Sequence, residues 1–411
     1  MNPLVRTKLS IMMFLNFFVW GAWFVTLATY LSAGLKFEPG AIAAAYSTTN
    51  WGAIISPFFI GMIADRFFSA ERVLGFLHLA GAVVLYYATS ITDPGALFWT
   101  LVLYAMCYMP SLALTNAISF HQMKDPEKEF PGIRVCGTLG WIVAGLSISV
   151  LGIKEASSAP LMLAAGASVA MGLFSFVLPN TPPKSRGKKV TVRDVLGLDA
   201  LDLLKDPSFA VFILASLLIC IPLAFYYTYA NMYFNEIGMV NVAGKMTMGQ
   251  MSEVIFMLLL PLLLTRIGVK KTLIIGMLAW FLRYFLFAYG NVGSLSFMLY
   301  TGILLHGICY DFFFVTAMIY VDNETPLKIR ASAQGFFAFI SYGVGMVVGN
   351  IVAGIVGNMF TTSAADGTKI HDWSKIWMAP CLMALVVVVL FLLFFKERPR
   401  VSHEDGADVK A

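Results

Sequence analysis

Long apolar runs separated by short polar breaks fill the chain from residue 8 to about residue 395. A helix needs about 20 mostly apolar residues to cross the hydrocarbon core of a bilayer. The pattern therefore predicts an all-α membrane protein with twelve transmembrane helices, numbered α1 to α12 in chain order. The predicted segments lie near 8–33, 41–64, 73–91, 96–120, 133–152, 158–178, 208–234, 246–265, 272–290, 294–320, 330–357 and 375–395.

One long polar stretch, at 179–207, lies between α6 and α7. The sequences on its two sides show weak similarity at an offset of about 200 residues. Arg66 and Arg266 lie in the loops after α2 and α8, 200 residues apart. Arg134 and Arg330 begin α5 and α11 at an offset of 196. Weak internal symmetry of this kind is typical of secondary transporters. We therefore predict two pseudo-symmetric six-helix bundles at 1–178 and 208–395, a linker at 179–207 that contains a short amphipathic helix over 190–204, and a tail at 396–411.

Composition supports the same class of protein. Only 12% of the residues are charged, 59% are hydrophobic and the mean hydropathy is +0.79. A soluble domain carries about 25% charged residues, because its surface must face water. This chain has too few charges to cover a water-facing surface, so lipid is its main solvent.

The positive charges are unevenly divided between the two sets of loops. Of the lysines and arginines in loops and termini, 21 fall on the side of the termini and the linker, and five fall on the opposite side. Cytoplasmic loops carry the excess of these residues. We therefore expect a multi-pass protein of the inner membrane with both termini and the linker in the cytoplasm. This topology accounts for the net charge of +5, so nucleic-acid binding is not predicted.

Motifs of soluble enzymes do not occur. The sequence has no P-loop, its five histidines are scattered, and its five cysteines lie in apolar stretches without paired spacing. We predict that the protein is not an enzyme and has neither catalytic residues nor a metal site. The expected partners are a small polar solute, protons and membrane lipid, and we expect a monomer.

Ionisable residues inside the apolar segments are the strongest functional signal, because each costs roughly 2.5 to 3.5 kcal/mol at a helix centre and usually faces a cavity or a partner. Glu253 lies in α8, one helical turn after Gln250, so both side chains share a face. Together they suit hydroxyl groups or the edge of a base. Burial favours the neutral form of a carboxylic acid, so Glu253 is also a proton-coupling candidate. A structural ion pair with Arg283 of α9 is the alternative.

Two further helices carry candidates. In α10, Asp311 follows His306 and Tyr310 on one broad face, as a second proton site or substrate anchor, or alternatively as a structural acid. In α5, Arg134 shares a stripe with Thr138 and Trp141, which predicts contact with substrate; a gate pairing with a carboxylate is the alternative.

The remaining spans contribute weaker candidates. The aromatic run 225–234 of α7 includes Tyr227 and Asn231, which could stack on a ring and bond to it, although packing in lipid is the alternative. Arg283 is interpreted as structural. Neutral polar residues of the first half predict an uncharged cavity wall: Asn16, Thr26, Tyr30, Ser47 to Asn50, Thr115, Asn116 and Ser119.

At these residues the chain resembles the major facilitator superfamily and, within it, the bacterial nucleoside:proton symporter family. The loop GMIADR, with Gly61, Asp65 and Arg66, is a degraded form of the superfamily signature, and Arg266 is its counterpart in the second half. We expect these four residues to act in gating. The specific matches run in order from Trp20 to Gly335: WGAWFVTL, YMPSLALTNAISF, FPGIRVCGTLGW, QMSE, AWFLRYFLFAYG, YDFF and IRASAQG.

The resemblance implies the major facilitator fold and a substrate pocket formed by Arg134, Thr138, Trp141, Gln250, Glu253, Tyr310 and Asp311. It also shows departures from the family pattern. The family's α7 amides fall here at Ala224 and Tyr227, His306 replaces a tyrosine, and Trp141 replaces a phenylalanine. Fewer amides and a larger indole predict an altered base preference.

These observations predict proton-coupled uptake of nucleosides by alternating access, with Glu253 or Asp311 as the coupling acid and no cofactor besides the proton. The nearest alternative is a carrier of the same fold for another polar solute, such as a sugar or oligosaccharide. A membrane-embedded enzyme and a transport-inactive receptor are the alternatives from other classes.

Overall fold

The computed structural model describes residues 1–64, 68–182, 198–326, 329–365 and 369–396. Within these ranges it contains the twelve predicted membrane helices. Six of them are α2 Pro39–Ala64, α3 Ala70–Ala88, α4 Pro94–Gln122, α5 Pro126–Val150, α6 Ala159–Ser175 and α7 Pro207–Glu236. Helices α8 and α9 form the run Val242–Tyr289, and α12 is Trp373–Phe394.

Three helices are irregular along their length. Helix α1 consists of Pro3–Phe24 and Leu27–Thr29 followed by a π-helical turn at Tyr30–Gly34. Helix α10 consists of Ser296–Leu304, His306–Tyr310, a π-helical turn at Asp311–Val315 and Thr316–Glu324. Helix α11 consists of Arg330–Ala338, a π-helical turn at Phe339–Gly345 and Met346–Met359. Because π-turns inside α-helices occur often at functional sites, α10 and α11 mark the region to inspect first.

Several helices begin at Pro residues preceded by a capping aspartate. Asp93 accepts a hydrogen bond from the backbone N–H of Ala96 at 2.7 Å, and Asp206 accepts one from Ser208 at 2.7 Å. The cap satisfies a backbone donor that has no partner in the first turn, and Pro in that turn has no N–H to satisfy. This local chemistry fixes where α4 and α7 begin.

The boundary between α8 and α9 is a single glycine. Gly268 has φ 80° and ψ 173°, a conformation that glycine adopts without steric cost. The predicted break at 266–271 is therefore much shorter in the structure, and α8 and α9 run on as 48 residues with one sharp bend.

The helices pack as two bundles that meet along two seams. In the first half α1 packs against α5 and α6, and α2 packs against α4; in the second half α7 packs against α11 and α12. Contacts between the halves follow the pairs α2–α11 and α5–α8. A cavity between the halves is consequently walled by helices from both.

Two features between helices differ from the prediction. A two-stranded antiparallel hairpin, β1 Thr361–Ser363 and β2 Lys369–His371, joins α11 to α12, where no strand was expected. Of the amphipathic helix predicted over 190–204, residues 190–197 lie outside the described ranges. The part that is described, Leu198–Lys205, is a 3₁₀ helix that packs on α7 and α11 and buries Ala200.

Candidate functional site

A cavity of about 440 Å³ lies between the two halves, with walls from α1, α2, α4, α5, α7, α8, α10 and α11. This volume is within the range of small-molecule sites, roughly 300 to 1,000 Å³. Eight of the predicted substrate-binding residues line it: Arg134, Thr138, Trp141, Tyr227, Gln250, Glu253, His306 and Tyr310.

One wall of this cavity is aromatic and carries the cation. The guanidinium of Arg134 lies 4.3 Å from the ring centre of Phe17, which holds it by a cation–π contact. Trp141 packs edge-on against Trp20, with ring centres 5.4 Å apart, and both residues line the cavity. The wall therefore combines one fixed positive charge with flat apolar surfaces.

The opposite wall is formed by α8 and α10. Glu253 is 19% exposed, and its carboxylate lies 3.8 Å from Nε2 of His306. Nδ1 of the same imidazole lies 3.1 Å from Nη1 of Arg283. Arg283 thus contacts His306, which stands between it and Glu253; the alternative of a direct Glu253–Arg283 ion pair is not what the described residues form.

Glycines bring α8 close to α10 at this wall. A Cβ atom on Gly249 would lie 3.1 Å from Cβ of His306, and one on Gly307 would lie 2.6 Å from the Ser252 backbone. The break after Leu304 leaves the N–H of Gly307 to donate to Ser252 Oγ at 3.0 Å. Close backbone contact therefore sets the short distance between Glu253 and His306.

Two predicted residues do not line the cavity. Asp311 is fully buried in the π-turn of α10, and neither carboxylate oxygen has a hydrogen-bond partner among the described residues. Asn231 lies farther along α7, where its side chain bonds to Thr29 and Glu155. Their predicted contacts with substrate remain predictions.

Sequence reasoning missed part of the second-half wall. Tyr342, in the π-turn of α11, lines the cavity, and its hydroxyl lies 3.2 Å from that of Tyr310. Asn50 of α2, expected only as part of a neutral wall, donates to the carbonyl oxygen of Tyr342 at 2.9 Å and so joins the two halves. Two glycines inside this turn, Gly343 and Gly345, were the available signal.

A hydrogen-bond network closes the end of the molecule that carries the β-hairpin, which we call the hairpin face. Glu155, in the loop between α5 and α6, accepts from Asn231 at 2.8 Å, from Asn235 at 3.0 Å and from the backbone N–H of Ala243 at 2.9 Å. All three donors belong to the second half. One carboxylate of the first half therefore holds the start of α8 and the end of α7.

Removing the charge of Glu155 is expected to open the hairpin face. In Glu155→Gln, an amide group replaces one acceptor oxygen and faces N–H donors, and the loss of a charged hydrogen bond is worth about 1.5 to 3 kcal/mol. We place a reporter cysteine at Thr138, inside the cavity, and add an impermeant maleimide at the hairpin face. We expect this cysteine to react about tenfold faster in Glu155→Gln than in the protein that keeps Glu155.

The matched control is Glu38→Gln. Glu38 forms an inter-half ion pair with Lys369 at the same face, but its side chain is 60% exposed. Exposed pairs contribute only about 0 to 1 kcal/mol, so the labelling rate should change little. Equal labelling rates in Glu155→Gln and Glu38→Gln would contradict the role of Glu155 in closing the hairpin face.

The sequence matches the family described as Nucleoside H+ symporter over residues 4–400. The chain belongs to this family. Its members are transporters, so the prediction of a proton-coupled nucleoside transporter that is not an enzyme is confirmed. The chain is likewise a multi-pass membrane protein. Of the helices in the described residues, eight segments are both long and apolar enough to span a bilayer, and the bent run of α8 and α9 counts as one of them.

Relatives match nearly the whole length. The chain is 44% identical to YegT of Escherichia coli K12, over 95% of this chain and 93% of that protein. It is 36% identical to the xanthosine permease of the same strain, over 95% and 96%. The crystal structure of the nucleoside transporter NupG superposes with a TM-score of 0.87 at 33% identity, covering 97% of this chain and all of that one. The predicted major facilitator fold is confirmed.

Proposed function

We propose that this protein binds its nucleoside in the cavity between the halves and carries it with a proton into the cytoplasm. The observation that carries the proposal is the convergence of Arg134, Gln250 and Glu253, from opposite halves, on one cavity with aromatic walls. A nucleoside has a flat ring and several hydroxyl groups. Stacking surfaces and charged or amide hydrogen-bonding groups are what such a molecule requires.

The residues that line the cavity suit both parts of the substrate. Gln250 and Glu253 offer a donor and acceptors at one helical face, which fits ribose hydroxyls or the edge of a base. Trp141, Tyr227 and Tyr310 offer ring faces or edges for the base. Arg134 can bond to carbonyl or hydroxyl oxygens from the opposite side.

The excess of lysine and arginine on the side of the termini supports a cytoplasmic position for both termini, an external hairpin face and insertion in the inner membrane. The described residues have their inter-half hydrogen bonds at the hairpin face and at mid-height, near Asn50. In this arrangement the structure is the inward-facing state of an alternating-access cycle.

We assign the proton to Glu253 and Asp311 in turn. Asp311 is buried without a hydrogen-bond partner among the described residues, and an uncompensated charge there would cost several kcal/mol. The neutral acid is the form compatible with these surroundings. Each proton that enters contributes about 2.3 kcal/mol per 100 mV of membrane potential, plus the pH gradient.

Other roles remain proposals. We propose gating roles for Gly61, Asp65, Arg66 and Arg266; Asp65 and Arg66 lie outside the described ranges, and Arg266 lies in the last turn before the bend at Gly268. We also propose that the protein works as a monomer with the domain limits 1–178, 179–207, 208–395 and 396–411.

The experiment is uptake of radiolabelled uridine by proteoliposomes that contain the purified protein. With an imposed pH gradient, acidic outside, we expect accumulation above the external concentration, and competition by adenosine but not by maltose. Uptake that ignores the gradient would contradict symport. Competition by maltose instead of nucleosides would contradict the proposed substrate.

A further inference from the structure

Arg283 is a buried cation with few polar partners. Its side chain is fully buried in α9, and among the described residues neither Nε nor Nη2 has a hydrogen-bond partner. The guanidinium lies 3.5 Å from the ring centre of Tyr226 and within 5.6 Å of those of Trp280 and Phe287. Arginine does not deprotonate in proteins, so the aromatic rings surround a permanent charge.

This cation makes a directed contact with a residue that lines the cavity. Nη1 of Arg283 lies 3.1 Å from Nδ1 of His306. A guanidinium can only donate, so Nδ1 must accept and carries no proton. The imidazole is then neutral, and its single proton is on Nε2.

The orientation of the imidazole ring determines where its Nε2–H group points. Nε2 of His306 faces the cavity and lies 3.8 Å from the Glu253 carboxylate, too far for a direct hydrogen bond. The Nε2–H group is therefore directed at Glu253 and at the space in which a ligand would bind. It can donate to a ligand oxygen or nitrogen, but it cannot accept.

We propose that Arg283 is a positioning residue for transport, acting through His306: it holds the imidazole as a permanent neutral donor beside Glu253. The proposal rests on the proposed function, because it concerns the same cavity. It assigns His306 to recognition of a hydrogen-bond acceptor on the nucleoside and excludes it as a proton carrier. Proton exchange at this wall is thereby confined to Glu253.

All groups described around the imidazole agree with this assignment. Arg283 approaches from α9 and Glu253 from α8, Tyr226 of α7 stacks with ring centres 5.2 Å apart, and Tyr310 of α10 lies 6.1 Å away. Of these four, Arg283 is the one whose polar atom contacts Nδ1. If Arg283 served packing alone, the identity of residue 306 would not alter the effect of replacing it.

The first test measures the tautomer directly in the unaltered protein. Nitrogen-15 spectra of histidine-labelled protein in lipid should show His306 with Nδ1 unprotonated and Nε2 protonated throughout about pH 5 to 8, where an ordinary histidine titrates. The resonance is assigned by its loss in His306→Gln. A proton on Nδ1, or titration within this range, would overturn the proposal even if transport is normal.

The second test compares Arg283→Met in two backgrounds. In the wild-type background, the imidazole loses the donor that keeps Nδ1 an acceptor, so its proton can move to Nδ1 and Nε2 can become the acceptor. We expect a signal from protonated Nδ1 in the nitrogen-15 spectrum of this variant, and a rise of about tenfold in the half-saturation concentration for uridine. Arg283→Lys, which keeps a cationic donor, should restore most of the wild-type behaviour.

In the His306→Gln background, the side chain keeps an amide donor near the Nε2 position and cannot titrate. Arg283→Met should then change the half-saturation concentration little, whatever the level of uptake. An equal rise in both backgrounds would overturn the proposal. Absence of nucleoside uptake by the wild-type protein would instead contradict the proposed function, and the spectroscopic test would still decide the tautomer.

Discussion

Asp311→Asn is expected to abolish accumulation of nucleoside against its gradient while leaving exchange across the membrane intact. Asparagine resembles the neutral acid in shape, so the buried site in α10 should keep its packing, but it cannot gain or lose a proton. With an imposed pH gradient, the ratio of internal to external uridine should fall to about one, because no proton gradient is coupled to the solute. Counterflow of labelled uridine into preloaded liposomes measures the remaining exchange.

The matched control is Asp322→Asn on the same helix. Asp322 pairs with Arg330 at 3.2 Å, its side chain is 44% exposed, and it is not among the residues that line the cavity. We expect this variant to accumulate uridine as the wild type does. Accumulation by Asp311→Asn, or loss of accumulation in both variants, would contradict the assignment of the coupling acid.

Glu253→Gln is expected to weaken both substrate binding and the response to pH. In its ionised form the carboxylate of Glu253 only accepts hydrogen bonds, whereas the amide offers a single acceptor oxygen and no charge. A hydrogen bond to a charged group is worth about 1.5 to 3 kcal/mol, so the half-saturation concentration for uridine should rise about 10- to 100-fold. Initial rates over a series of external pH values measure both effects.

Glu253→Asp serves as the comparison, since it keeps the charge but moves it by one methylene. It should show the weaker binding of a displaced acceptor and still respond to external pH. If Glu253→Gln responds to pH as strongly as Glu253→Asp does, Glu253 does not exchange the proton, and Asp311 alone would carry the coupling.

Helix count, fold class and most cavity residues could be predicted because the bilayer imposes simple rules on sequence. Apolar length determines the spans, and the cost of a buried charge identifies residues such as Glu253 and Arg134 from their position in the chain alone. These rules depend on the residue and its neighbours in sequence. They apply equally well to any chain that crosses a membrane.

Other features depend on contacts between helices distant in sequence. Arg283 was interpreted as structural, yet its long side chain reaches His306, which lines the cavity. Asn231 was expected in the cavity, but its height along α7 places it beside Glu155. The π-turn that exposes Tyr342 adds a residue to one turn of α11, which a regular helical period does not predict.

In the proposed alternating-access cycle the two halves tilt about each other, and the bond between Asn50 and the carbonyl oxygen of Tyr342 joins them near the middle of α2. When two rigid bodies tilt about each other, points far from the axis travel and points near it stay almost still. A contact near the middle of the spanning helices then lies close to the axis of tilting and is kept while the two ends open alternately. Its loss would loosen the closure on either side alike, and the carrier would leak instead of favouring one orientation.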